Sequence, residues 1–121
     1  VIFTGWQEEM PMLYAAIDIF VSAARSEPFG LVIAEAMASG TAIVATETVG
    51  AGEILENNVT GILTAIENPQ AIANAIAKLL EDKKMKEILE KNARKRVKEK
   101  FGLERMVAET EKIYSEILAA I

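Results

Sequence analysis

The segment Ser26 to Gly40, S-E-P-F-G-L-V-I-A-E-A-M-A-S-G, holds the residues whose types and spacing could do chemistry. Two carboxylates, Glu27 and Glu35, flank a short stretch that begins a helical pattern at Gly30 and Leu31. The first amides of a helix have no intrahelical acceptor and carry the positive end of the helix dipole. Phe29, Gly30 and Leu31 would aim those donors into a cleft, where they suit a phosphate or sugar hydroxyls. Gly30 lets a ligand approach the backbone closely. Glu35 follows Leu31 by four residues on the same face, and helical side chains lean toward the N-terminus. Both carboxylates can therefore face one ligand. One could accept bonds from sugar hydroxyls and the other from a ribose diol.

Alternating strands and helices must position this segment. Val1 to Thr4 reads as a strand closed by Gly5, and Glu8 to Ala16 as a helix. Asp18 to Ser22 is a second strand, nearly continuous in apolar residues, as expected of a strand covered on both faces. Pro28 fixes a loop over Arg25 to Phe29. A helix spans Gly30 to Ser39, with Gly40 at a left-handed C-terminal cap. Ala42 to Ala45 is a third strand, Gly50 and Gly52 mark a loop, and Glu53 to Glu56 is one helical turn. Asn57 and Asn58 turn the chain into a fourth strand, Gly61 to Leu63. Three helices follow. The first has Asn68 as cap, Pro69 at its first position and a stripe of Ile72, Ile76, Leu79 and Leu80. The second runs from Lys83 to Lys100. The third starts near Leu103 and carries Met106, Val107, Ile113, Tyr114, Ile117 and Leu118.

This order implies right-handed βαβ units: an α/β, Rossmann-like parallel sheet of about four strands with flanking helices and a helical C-terminal tail. The βα core would cover residues 1–66 and the tail 67–121. Ligands of such sheets bind beyond the carboxyl ends of the strands. That rule gathers Gly5 and Trp6, Ser22 to Gly30, and Thr46 to Gly52 around one site.

Composition narrows the chemistry. The chain has 121 residues, enough for one domain, and 51% of them are apolar. A net charge of -5 argues against wholesale nucleic-acid binding. There is no cysteine and no histidine, so disulfides, thiolate nucleophiles and the commonest general base and zinc ligand are absent. No apolar run reaches the roughly 20 residues of a membrane span. The N-terminal V-I-F-T-G-W has neither the basic flank nor the cleavage site of a signal peptide. It reads as a chain that begins mid-domain, and the absence of a signal fits a cytoplasmic location, with the inner face of the membrane as the variant.

A glutamate, seven residues and a second glutamate, here E-P-F-G-L-V-I-A-E, resembles the signature of glycosyltransferase family 4. V-I-F-T-G and Y-A-A-I-D-I-F-V-S before it keep the family's order and spacing. So do E-A-M-A-S-G-T-A-I-V-A-T, G-E-I-L and N-V-T-G-I-L after it. The resemblance covers Val1 to Leu63. It implies the later part of the C-terminal, donor-binding domain of a retaining GT-B enzyme. In that reading Glu27 is catalytic, beside the transferred sugar and the β-phosphate. Phe29, Gly30 and Leu31 give backbone amides to the donor, Glu35 binds the nucleotide ribose, and Gly5 and Trp6 lie near the base. The family's reaction uses no metal and no cofactor. It is described as front-side attack with a donor phosphate oxygen assisting deprotonation of the acceptor.

The chain departs from the family at two points. Val49 stands where the first of two adjacent glycines is usual, and Ala42 where proline is common. V-G-A-G-E-I-L is closer to a subgroup associated with bacterial envelope glycans. The family's arginine and lysine diphosphate clamp, two strands and the whole acceptor domain lie upstream. The resemblance therefore implies that this chain is inactive alone and works with an N-terminal acceptor domain on a glycan or lipid-linked acceptor.

Its sheet order, 3-2-1-4-5-6, would leave Asp18 to Ser22 with an open apolar edge. Either Val1 to Thr4 moves beside that strand or two copies pair across it as a homodimer. The last helix would keep an uncovered apolar face where the acceptor domain sits. A different class of function, a non-catalytic α/β binding or scaffold module, shares the same pattern. Trp6 and Arg25 also read as ordinary surface residues. The run Lys91 to Lys100 reads as a solvated helix face, given the neighbouring Glu87, Glu90 and Glu99, with contact to nucleic acid or peripherally to an anionic membrane as the alternative.

Overall fold

The structure is a computed structural model describing residues 1–121. Its sheet is parallel and has three strands in the order β1 (Ile19–Ser22), β2 (Ala42–Thr46), β3 (Ile62–Thr64). Ile19 pairs with Ala42 and Ser22 with Ala45 on one side of β2. Val44 pairs with Ile62 and Thr46 with Thr64 on the other. Every residue of β2 is buried, as its unbroken apolar run requires. Its alternation divides the core. Ile43 and Ala45 join Tyr14, Ile33, Met37 and Ile54 in one cluster, while Ala42 and Val44 join Ile62, Ala75, Leu79 and Leu89 in the other.

The first of the four expected strands is absent. Val1 to Thr4 forms no ladder, and Val1, Ile2 and Phe3 are exposed. A β-rich run becomes a strand only when a neighbour takes its amides and carbonyls. Here β1 pairs with β2 alone, and Val1 to Thr4 does not move beside it.

Local signals set most helix ends. α1 spans Met10–Ala16, beginning later than Glu8, with Pro11 in its first turn. α2 (Leu31–Ser39) ends on Gly40 at φ 76°, whose amide bonds Met37 O while that of Thr41 bonds Ala36 O. Asn68 caps α4 (Pro69–Glu81) by accepting from the Ala71 amide at 3.0 Å. Asp82 caps α5 (Lys83–Lys100) by accepting from Met85 at 2.8 Å.

α3 (Val49–Ile54) stands where a glycine loop and a turn over Glu53 to Glu56 were expected. Two glycines lower helix propensity by about 1 kcal/mol each. Tertiary burial of Ala51 and Ile54 outweighs that, and the Thr48 hydroxyl caps the Ala51 amide at 3.3 Å. Arg96 of α5 closes the other end of α3. Its guanidinium donates to Ile54 O at 2.7 Å and Glu53 O at 3.2 Å, and pairs with the Glu56 carboxylate. Arg96→Ala strands these acceptors, two of them on the backbone, and is expected to lower stability by roughly 1.5–3 kcal/mol. A reduced urea midpoint with unchanged m-value checks it.

α6 (Leu103–Ala120) has no buried residue. Met106, Ile113, Tyr114, Ile117 and Leu118 leave it with the uncovered apolar face that the sequence suggests.

Candidate functional site

The carboxyl ends of β1 and β2 open onto the loop from Ala23 to Gly30. Thr46, at the end of β2, ties that loop down: its hydroxyl donates to Ala24 O at 2.5 Å. Further along, the Gly50 amide donates to Glu27 O at 2.8 Å. Gly50 matters more than its place in a glycine-containing loop predicts. A Cβ there would lie 2.4 to 2.6 Å from the O, C and Cα of Phe29, so only glycine lets α3 pack this close to the loop. The signal was present as one glycine of T-V-G-A-G-E, but its contact lies in a different segment.

Gly30 adopts φ +93° and is buried, with Ile33, Ile54 and the Glu27 stem around it. That left-handed backbone turns the chain into α2. Phe29 N and Gly30 N donate to Oε1 of Glu27 at 3.4 and 3.1 Å. The carboxylate therefore sits on the amides that the sequence assigned to a ligand. Leu31, the first residue of α2, is exposed. The Phe29 ring is 41% exposed rather than core, and meets Phe101 edge-on at 6.2 Å.

Glu35 stands on α2 and accepts a hydrogen bond at Oε2 from the Tyr14 hydroxyl at 3.0 Å. It lines a cleft of about 490 Å³ together with Gly5, Trp6, Leu13, Tyr14 and Val32. The structure thus brings Glu35, Gly5 and Trp6 to one cavity. Glu27, Phe29 and Gly30 form a second group at the start of the same helix, outside that lining. Trp6 is 89% exposed, so it offers a ring to the cleft mouth rather than packing into the core. Arg25 pairs with Glu67 at 3.2 Å on the surface, a contact that contributes little.

Burial, reinforced by the Glu35 hydrogen bond and charge, pushes the Tyr14 phenol up to about 12. A raised pKa means that the folded state favours the neutral form. The resulting stability is fully present below about pH 10 and is lost as pH rises through about 12. The stability difference between wild type and Tyr14→Phe should therefore shrink between pH 10 and pH 12 in urea unfolding. A difference independent of pH across that window contradicts the assignment.

Known proteins resemble this chain along nearly its whole length. The family model described as glycosyl transferases group 1 matches residues 1–96. An uncharacterized glycosyltransferase of Methanocaldococcus jannaschii is 35% identical over 94% of this chain and 30% of its own length. N-acetyl-alpha-D-glucosaminyl L-malate synthase of Bacillus anthracis is 32% identical over 98% of this chain and 31% of its own. The Anabaena protein HepE, solved in complex with UDP and glucose, superposes with a TM-score of 0.82 at 34% identity, covering 98% of this chain and 32% of that one. The chain thus spans about a third of the length of the curated relatives it matches.

Proposed function

Because this chain belongs to glycosyl transferases group 1, we propose that it forms part of the donor site of a retaining transferase that moves a sugar from a nucleotide-sugar to an acceptor. The observation that carries the reading is the start of α2. There the amides of Phe29 and Gly30 hold an anionic oxygen, that of Glu27, at 3.4 and 3.1 Å. A diphosphate or sugar oxygen is bound by the same chemistry. HepE, 34% identical, is solved with UDP and glucose, which supports a nucleotide-sugar as the ligand.

In this reading Phe29, Gly30 and Leu31 donate to the donor's sugar and diphosphate and stabilise charge on the leaving group. Glu27 lies beside the transferred sugar, Glu35 holds the ribose, and Gly5 and Trp6 border the base. The bond from the anomeric carbon to the β-phosphate oxygen breaks, and the acceptor oxygen bonds that carbon on the same face. The acceptor's proton passes to a phosphate oxygen of the departing diphosphate. The residues named here position and stabilise, and no metal or cofactor belongs to the scheme. The acceptor is a glycan or a lipid-linked acceptor, taken up by a domain outside this chain, in the cytoplasm or at the inner face of the membrane.

The test is transfer and donor hydrolysis by the full-length protein across a panel of nucleotide-sugars. One donor should be turned over, and Glu35→Ala should raise its KM roughly tenfold or more by removing charged hydrogen bonds to the ribose. A panel with no turnover, or an unchanged KM in Glu35→Ala, contradicts the proposal.

A further inference from the structure

We propose that Tyr14 is a positioning residue for nucleotide recognition, which sets the orientation of Glu35 so that this carboxylate accepts from a vicinal diol. The inference rests on the reading of Glu35 as the ribose ligand and adds the group that makes it selective.

Glu35 is exposed on the surface of α2, where a glutamate ordinarily samples several rotamers. Tyr14 removes that freedom, because Tyr14 is itself held by two contacts independent of Glu35. Its carbonyl accepts from the Thr41 hydroxyl at 2.7 Å. Its ring lies edge-on to Phe20 at 5.7 Å and 69°. Its hydroxyl donates to Oε2 of Glu35 at 3.0 Å. Tyr14 is 3% exposed and is the buried residue of α1, so the donor comes from the core side of the cleft.

The chemistry of the pair is directional. A neutral phenol beside a carboxylate can only donate, and it uses one lone pair of Oε2. Glu35 takes part in no other hydrogen bond and lines the cleft, so Oε1 and the remaining lone pair of Oε2 are available to a ligand there. Two adjacent acceptor oxygens match two adjacent hydroxyls. Preorganisation of this kind lowers the ordering cost of binding and so increases the contribution of the diol. A ligand without the diol gains nothing from it.

The full-length protein can be titrated calorimetrically with uridine and guanosine diphosphates and with their 2′,3′-dideoxy counterparts. Wild type should prefer the diol-bearing form of one of these nucleotides by roughly tenfold or more. Tyr14→Phe keeps the ring packing and removes only the donor. It should cut that preference severalfold while the dideoxy affinity stays at the wild-type level. Glu35→Gln should reduce the preference as well.

Equal weakening of both nucleotide forms in Tyr14→Phe would mean a merely structural role and overturn the proposal. So would an undiminished preference in Tyr14→Phe beside a lost one in Glu35→Gln, which leaves the ribose reading of Glu35 standing. A preference retained in Glu35→Gln, or no binding of either nucleotide, defeats the ribose reading and this inference together.

Discussion

Glu27→Ala in the full-length protein is expected to lower kcat roughly a hundred- to a thousandfold, the range typical of losing one electrostatic group beside the reacting centre. The geometry also fixes how the loss divides. In the structure the Glu27 carboxylate occupies the Phe29 and Gly30 amides. A donor oxygen that binds those amides must displace it. Removing the carboxylate frees the amides, so KM for the donor should stay level or fall while kcat drops. A variant with wild-type kcat and raised KM would make Glu27 a binding residue only.

The second large effect is expected at Gly50. A methyl group there meets the backbone of Phe29 at 2.4 to 2.6 Å, and backbone cannot rotate away as a side chain can. Either α3 or the loop must shift, with loss of the bond from the Gly50 amide to Glu27 O. Overpacking of this kind costs about 1–3 kcal/mol. Displacing by about 1 Å the residues proposed to hold the donor can lower turnover about a hundredfold. Gly52→Ala is the control: a Cβ there meets nothing within 4 Å, and alanine is the better helix former. Melting curves and donor kinetics should separate the two substitutions. Equal behaviour of both variants would mean that the contact between α3 and the loop does not position the site.

What the sequence disclosed was set by local chemistry. The run A-I-V-A at Ala42 to Ala45 is buried on both faces wherever a parallel sheet forms, and it is the centre of this one. Gly40, Asn68 with Pro69, and the bounds of α5 carry their own cap signals, and all sit where those signals place them. Spacing along the chain was also enough to put Glu27 at the start of α2 and Glu35 one turn inside it.

The unread features depend on partners distant in sequence. Val1 to Thr4 has strand residues but no strand beside it. α3 overrides two glycines because Ala51 and Ile54 reach the core. Tyr14 finds Glu35 across 21 residues, and Arg96 reaches Ile54 O across 42. The basic run Lys91 to Lys100 is only partly a solvated face. Ala93 is in the core, Val97 packs against it, and Arg94 donates to Ser39 O at 3.0 Å at the end of α2. Neither the run's charge pattern nor its helical period distinguishes such arginines from the exposed lysines around them.

The most direct measurement is a structure of the full-length protein with its nucleotide-sugar bound. The account predicts a diphosphate or sugar oxygen within hydrogen-bond distance of the Phe29, Gly30 and Leu31 amides, with the Glu27 carboxylate displaced toward the sugar and Glu35 on the ribose. A donor bound elsewhere, with Glu27 still seated on those amides, would contradict it.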